Sequence, residues 1–174
     1  QKSYNTITSH ISLKYIQKHL NIQFSIPISN PHLWSPKSPE LYELHVQLTP
    51  YKKIQKNRFG IRVIESKGLH LYLNHRPIKL HGASLHEELI PYGRHYPLKE
   101  HLRELRQMKN LGFNALRSAH YSHDELLCNL CDEEGILLLE EIPVYWNIQY
   151  SKRKVIKLAM QMMRELVWRD INHP

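Results

Sequence analysis

The chain has 174 residues, of which 41% are hydrophobic and 23% charged, and its formal net charge is +8. That balance belongs to a globular chain rather than a disordered one, and no apolar run approaches the roughly 20 residues that span a bilayer. The positive charge is not a nucleic-acid footprint: Lys and Arg are scattered among Asp and Glu, and the one dense run, Lys152-Arg153-Lys154, opens a helix-like segment.

Gln1 to His10 is polar and has no apolar core of a secretory signal peptide, which leaves localisation open. Leu20, Ile22, Phe24, Ile26 and Ile28 then alternate with mostly polar residues, the period of a half-buried strand. Tyr42, Leu44, Val46 and Leu48 repeat the pattern, and a third strand is expected through Phe59, Ile61 and Val63. Between the first two lies Asn30-Pro-His-Leu-Trp-Ser-Pro-Lys-Ser-Pro39, whose prolines cannot donate to a sheet ladder. Antiparallel strands with such a connection predict part of a β-sandwich. A hairpin follows, Leu69 to Leu73 running through Asn74-His75-Arg76-Pro77 into Ile78 and Leu80.

Beyond Gly82 the period changes from two to 3.6. Pro97 stands where a first helical residue needs no N–H; Leu98, Leu102, Leu105 and Met108 share one face, and Gly112 stops the helix. Phe113 to Arg117 is a short apolar strand. Ser122 and Glu125 have the spacing of a capping box for a second helix that runs to Gly135. Ile136 to Leu139 reads as a strand covered on both faces, and Val155, Leu158, Met162 and Leu166 mark a third amphipathic helix. Strand–helix alternation of this kind predicts a parallel sheet with helical crossovers, open or the beginning of a barrel.

Cys128 and Cys131 form a lone C-x-x-C in an amphipathic segment, where cysteine acts as a small buried hydrophobe. With no second pair, no metal site is expected. His120 and His123 share an H-x-x-H spacing with no further ligand in view, and His123 is read as a surface residue.

The choice between open sheet and barrel comes from local motifs. Asn114-Ala-Leu-Arg117-Ser-Ala-His120-Tyr121, followed by Cys131-Asp-Glu-Glu-Gly135 and four apolar residues, resembles the first signature of glycoside hydrolase family 2. Asn30-Pro-His-Leu-Trp-Ser-Pro36, Arg58-Phe-Gly-Ile-Arg62, Leu73 to Gly82 and Arg169-Asp-Ile-Asn-His-Pro174 resemble other segments of that family, in the same order. The resemblance implies the C-terminal part of an immunoglobulin-like β-sandwich at residues 1–65. It implies the first three βα units of a TIM (β/α)₈ barrel at 66–174.

Barrel enzymes place their chemistry at the C-terminal ends of the strands. The substrate-binding candidates are therefore His86 and Glu88 after the first strand, Arg117 and His120 after the second, and Glu141 and Trp146 after the third. By resemblance, Glu88 contacts sugar hydroxyls, Arg117 lies beneath the catalytic carboxylates and His120 contacts the sugar. Ser122 stands where many relatives have Pro, and helix capping accounts for it. Glu140 and Glu141 are not the two catalytic carboxylates of a retaining glycosidase, because adjacent strand residues point to opposite faces. By resemblance both catalytic glutamates lie beyond residue 174. The expectation is thus a fragment of a retaining β-glycosidase acting on a β-galactoside or β-glucuronide, without cofactor or metal and inactive alone. An oligomer or a complementing C-terminal portion is expected as partner, with no nucleic acid or membrane. The alternative is a non-catalytic remnant or carbohydrate-binding module.

Overall fold

A computed structural model of the chain describes residues 23–47 and 54–174. Residues 1–32 and 33–174 are separate compact units. In the first unit, residues 23–28 run without strand pairing, so the expected strand through Phe24, Ile26 and Ile28 is not formed there; Leu20 and Ile22 lie outside the described residues. Alternation makes a strand only where a neighbour takes up the backbone groups, and Phe24 is 46% exposed.

The second unit opens with a tight turn in which the Ser35 and Ser38 backbones bond to each other, and the Trp34 N–H donates to the Ile61 carbonyl at 2.8 Å. β1 (Tyr42–Gln47) then pairs antiparallel with β2 (Ile54–Phe59). Leu48 lies outside the described residues. The strand expected through Phe59, Ile61 and Val63 ends at Phe59, because Gly60 is pressed against Trp34 and Pro174 and the chain turns away from β1.

β3 (Ile64–Lys67), β4 (His70–Leu73) and β5 (Arg76–Ile78) form an antiparallel meander. The β4–β5 link holds Asn74 and His75 at φ 51° and 64°, the double left-handed geometry of a two-residue hairpin turn, for which asparagine is well suited. Leu69 belongs to the preceding turn and is fully exposed, so the hairpin begins one residue later than its leucines imply.

β6 (Gly82–Leu85), β7 (Ala115–Ser118) and β8 (Leu137–Leu139) form a parallel sheet in that order. The crossovers are α1 (Leu98–Asn110) and α2 (Glu125–Glu134). A side chain at Gly82 would collide with the carbonyl of Ala115, its register partner. On α1 the buried positions are His101 and Leu105, while Leu98 is half exposed and Pro97 is the N-cap. The expected capping box is not formed either. The helix starts at Glu125, leaving Ser122 outside its first turn, and the Asp124 carboxylate accepts the Leu126 N–H at 2.9 Å. At the other end Gly135 adopts φ 71°, the left-handed cap that glycine takes without strain. α3 (Arg153–Asp170) buries Leu166 and Asp170, with Val155 and Met162 part-buried; Leu158 falls at the edge of this stripe and is 55% exposed.

Two clusters fill the interior. Leu105, Leu116, Leu127, Leu130, Cys131 and Ile136 lie between β7 and its two crossover helices. Trp34, Leu73, Ala115 and Leu137 lie toward the meander. Fully buried Trp34 also donates its indole N–H to the Asp132 carbonyl at 2.8 Å, locking the turn at residues 33–38 onto α2. Replacing Trp34 by Phe keeps an aromatic ring but leaves that carbonyl without its donor, which costs about 1–3 kcal/mol. Urea unfolding of Trp34→Phe is expected to show a loss of that size; a change under about 0.5 kcal/mol would show the bond contributes nothing net.

Candidate functional site

Parallel strands bring their C-terminal ends to one edge, so residues far apart in sequence meet there. Register places Ser84 beside Arg117 and Arg117 beside Leu139. Past β8 the next two residues, Glu140 and Glu141, turn to opposite sides, as strand alternation requires.

Glu141 faces the strand ends. The Arg117 Nε–H donates to its carboxylate, and the His120 Nδ1 lies 3.1 Å from its other oxygen. Arg117 also donates from one Nη to the Ser84 hydroxyl at 3.3 Å, and its other Nη lies 3.1 Å from the His120 Nδ1. That Nδ1 meets a donor and an acceptor at once. Unprotonated it accepts from Arg117; protonated it donates to Glu141. The Arg117 guanidinium beside Glu141, and His120 behind it, hold the Glu141 carboxyl below its usual range against the opposing effect of burial. All three side chains stay open to solvent, at 44%, 30% and 27% exposure for Arg117, His120 and Glu141. An ion pair this exposed contributes little stability; its effect is to fix donors and acceptors in place.

The remaining candidates separate. The His86 ring stands edge-on to His120 at 5.4 Å, and so belongs to the cluster. Glu88 is exposed and takes no part in it, whereas its neighbour Glu87 is buried and accepts the Asp124 N–H at 2.9 Å. Trp146 is 88% exposed; the aromatic that reaches His120, at 5.1 Å between rings, is Tyr145. Ser84 was not legible as a member because only the strand register brings it to Arg117. Tyr121 accepts the Glu87 N–H at 3.2 Å, and the Arg94 guanidinium lies 4.9 Å over its ring. His123, expected at the surface, is 2% exposed, with its Nε2 at 3.4 Å from the Ala119 carbonyl.

The result is a shallow polar wall: a fixed guanidinium, an ionised carboxylate, an imidazole and an aromatic ring, supplied by two neighbouring strand ends. Such a set suits a polyhydroxylated ring, whose hydroxyls both donate and accept and whose C–H face packs on an aromatic. On the other side of β8, Glu140 sits 3.8 Å from the Cys128 Sγ and 3.4 Å from Arg169. Burial, and then the nearby Asp170, push its carboxyl up to about 7.

The chain as a whole resembles known proteins. Residues 2–62 match the family model for glycosyl hydrolases family 2, and residues 64–174 match the model for that family's TIM barrel domain. A β-galactosidase of Leuconostoc mesenteroides is 31% identical over 162 residues, covering 88% of this chain but 16% of the relative. A β-galactosidase of Thermoanaerobacterium thermosulfurigenes is 36% identical over 145 residues, covering 82% of this chain and 20% of the relative. Among solved structures, the β-glucuronidase of Bifidobacterium dentium complexed with coumarin-3-O-glucuronide superposes with a TM-score of 0.78 at 28% identity, over 84% of this chain and 25% of that one. This chain thus spans about a fifth of the length of these two curated relatives. The barrel-domain model alone takes in more than half of the chain, which belongs to glycosyl hydrolases family 2.

Proposed function

We propose that residues 1–174 supply one wall of the sugar site of a retaining β-glycosidase. Residues 1–65 would be the end of the immunoglobulin-like domain and 66–174 the first three βα units of the barrel. The observation that carries this reading is the Arg117–His120–Glu141 cluster, built from two adjacent strand ends with His86 and Tyr145 beside it. In the proposed complex Arg117 and His120 bind hydroxyl or carboxylate oxygens of a β-galactoside or β-glucuronide, and Glu141 orients both. Relatives named as β-galactosidases and β-glucuronidases support that substrate class.

The wall binds but does not cleave. A retaining glycosidase needs two carboxyl groups roughly 5–5.5 Å apart across the glycosidic bond. Glu140 and Glu141 are the adjacent carboxylates at this edge, and they face away from each other. Catalysis therefore calls for carboxylates from further chain, as does the sheet itself. Among the described residues β8 has a strand neighbour on one side only, and Ile156, Met160, Met163, Val167 and Ile171 form an exposed apolar stripe along α3 and its C-cap. A complementing C-terminal portion, or a second copy, would cover these surfaces. The second reading, a carbohydrate-binding module without catalysis, shares the same wall.

The isolated 174-residue chain is expected to release no aryl alcohol from aryl β-galactosides or β-glucuronides above a buffer control; steady turnover by a clean preparation would sink the division of labour proposed here. Binding of D-glucuronic acid or galactose, followed by NMR shifts, is expected to weaken about 10–100-fold in Arg117→Met, the equivalent of one hydrogen bond to a charged group. Unchanged affinity in a folded variant would remove Arg117 from the site.

The pH dependence follows from the depressed Glu141 carboxyl. A group whose pKa is lower in the folded chain contributes its interaction above the unfolded value and loses it as pH falls through the folded value. Sugar binding should thus persist at pH 5 and fade only in more acid solution, with the Glu141 carboxyl carbon titrating in step. In Arg117→Met its midpoint should move back up toward the ordinary range. A midpoint indifferent to that substitution would show that the guanidinium does not hold the carboxylate.

A further inference from the structure

The underside of β8 carries a second cluster, remote in character from the sugar wall. Cys128 on α2, Asp170 at the end of α3 and His173 just beyond it each present one ligand atom, and these atoms lie within 4.8 Å of one another. Cys128 and Asp170 are buried, and His173 is part-buried. We propose that Cys128, Asp170 and His173 form a binding site for a divalent transition-metal ion of the zinc type.

The donors decide the class of ion. A thiolate and an imidazole suit zinc and its neighbours and do not suit magnesium or calcium, which take oxygen ligands. Three protein ligands with an open fourth position are the usual arrangement where zinc also holds an exogenous ligand. Space for that ligand exists: a cleft of about 180 Å³ is lined by all three donors, with Leu138 and Glu140 on its walls. Tetrahedral zinc ligands stand about 3.3–3.8 Å apart, so the three atoms must close by about 1 Å.

His173 is oriented for the task. Its Nδ1 bonds to the Asp132 carboxylate at 2.6 Å, which leaves Nε2 turned toward Asp170, 4.0 Å from its Oδ1. A carboxylate behind a ligating imidazole fixes its tautomer and raises its basicity. The place also attracts positive charge already. Asp132, Glu140 and Asp170 converge here, and the Arg169 guanidinium contacts Asp170 Oδ2 at 2.7 Å and Glu140 at 3.4 Å, with the Cys128 Sγ at 4.0 Å. Arg169 is tethered from its other Nη to the His123 carbonyl at 3.0 Å and donates from Nε to both Asp170 oxygens, at 2.8 and 2.9 Å, so the ion would bind Asp170 through a lone pair that the guanidinium leaves unused. Burial keeps the Cys128 thiol protonated. Forming the metal–sulfur bond therefore breaks the S–H bond and releases that proton, with a second proton from His173 where it starts as imidazolium; no electron is transferred.

The test is a Co(II) titration of the full, untagged chain, read by the near-ultraviolet thiolate-to-cobalt charge-transfer band, which surface histidines cannot produce. The band is expected at stoichiometric Co(II), with proton release into weak buffer, and Zn(II) should abolish it. Cys131→Ser should keep the band, Cys128→Ser should lose it, and Asp132→Asn should weaken affinity about 10–100-fold. No band in the unsubstituted chain at tenfold excess of Co(II) overturns the proposal, as does a band that survives Cys128→Ser. Should Cys128→Ser fail to fold, the Asp132→Asn affinity decides: an affinity equal to that of the unsubstituted chain overturns it.

Discussion

The alternation of side chains past the end of β8 divides the chemistry of this chain. Glu140 and Glu141 are joined by one peptide bond, yet Glu141 meets Arg117 and His120 at the strand ends while Glu140 lies against Cys128 and Arg169. Their environments push them in opposite directions: a guanidinium beside Glu141 favours its charge, whereas burial and Asp170 oppose that of Glu140. One carboxylate is thereby held at the open strand ends and its neighbour in the packing of α3. A shift of one residue in the β7–β8 register would exchange the two and dismantle both.

The Glu140 side explains how α3, which presents apolar surface to solvent, stays against the sheet. Arg169 reaches Asp170, Glu140 and the His123 carbonyl, and His173 reaches Asp132. The Asp132 carbonyl in turn accepts the Trp34 indole N–H. A network this buried gives geometric definition more than stability, since desolvating its charges offsets much of their attraction. Glu140 carries part of that cost, since burial and Asp170 oppose its charge. With its folded pKa raised to about 7, the folded chain binds an extra proton between the ordinary carboxylate range and neutrality. Its contribution therefore becomes less favourable as pH rises across that window.

Much of this was legible in the sequence, and the exceptions share a cause. The parallel sheet followed from period and order, and the glycine stop of α2 at Gly135 from the left-handed conformation it takes. Arg117, His120, His86 and Glu141 were each named from their places after strands, and the structure brings these four together. What escaped depends on choices between near neighbours that only tertiary contact makes. Asp124 caps α2 in place of Ser122 because Glu87 fixes its backbone N–H. Glu87 turns inward while Glu88 stays exposed, and Tyr145 reaches His120 while Trp146 faces solvent. The Ile64–Lys67 strand, Ile-Glu-Ser-Lys, has too little apolar content to announce itself and is held by the meander.

The same contrast bears on what the wall is for. Arg117, His120 and Glu141 remain between about a quarter and a half exposed while being held in one orientation by each other and by Ser84, so their pairing adds little to stability. Ordering long polar side chains at an open edge loses rotamer entropy without the return of burial. On the function proposed above, the return comes from a ligand, which meets donors already in position and excludes the water that now screens them. The packed network on the reverse of β8 supplies the rigidity that this requires, because it fixes the strand end from which Glu141 projects.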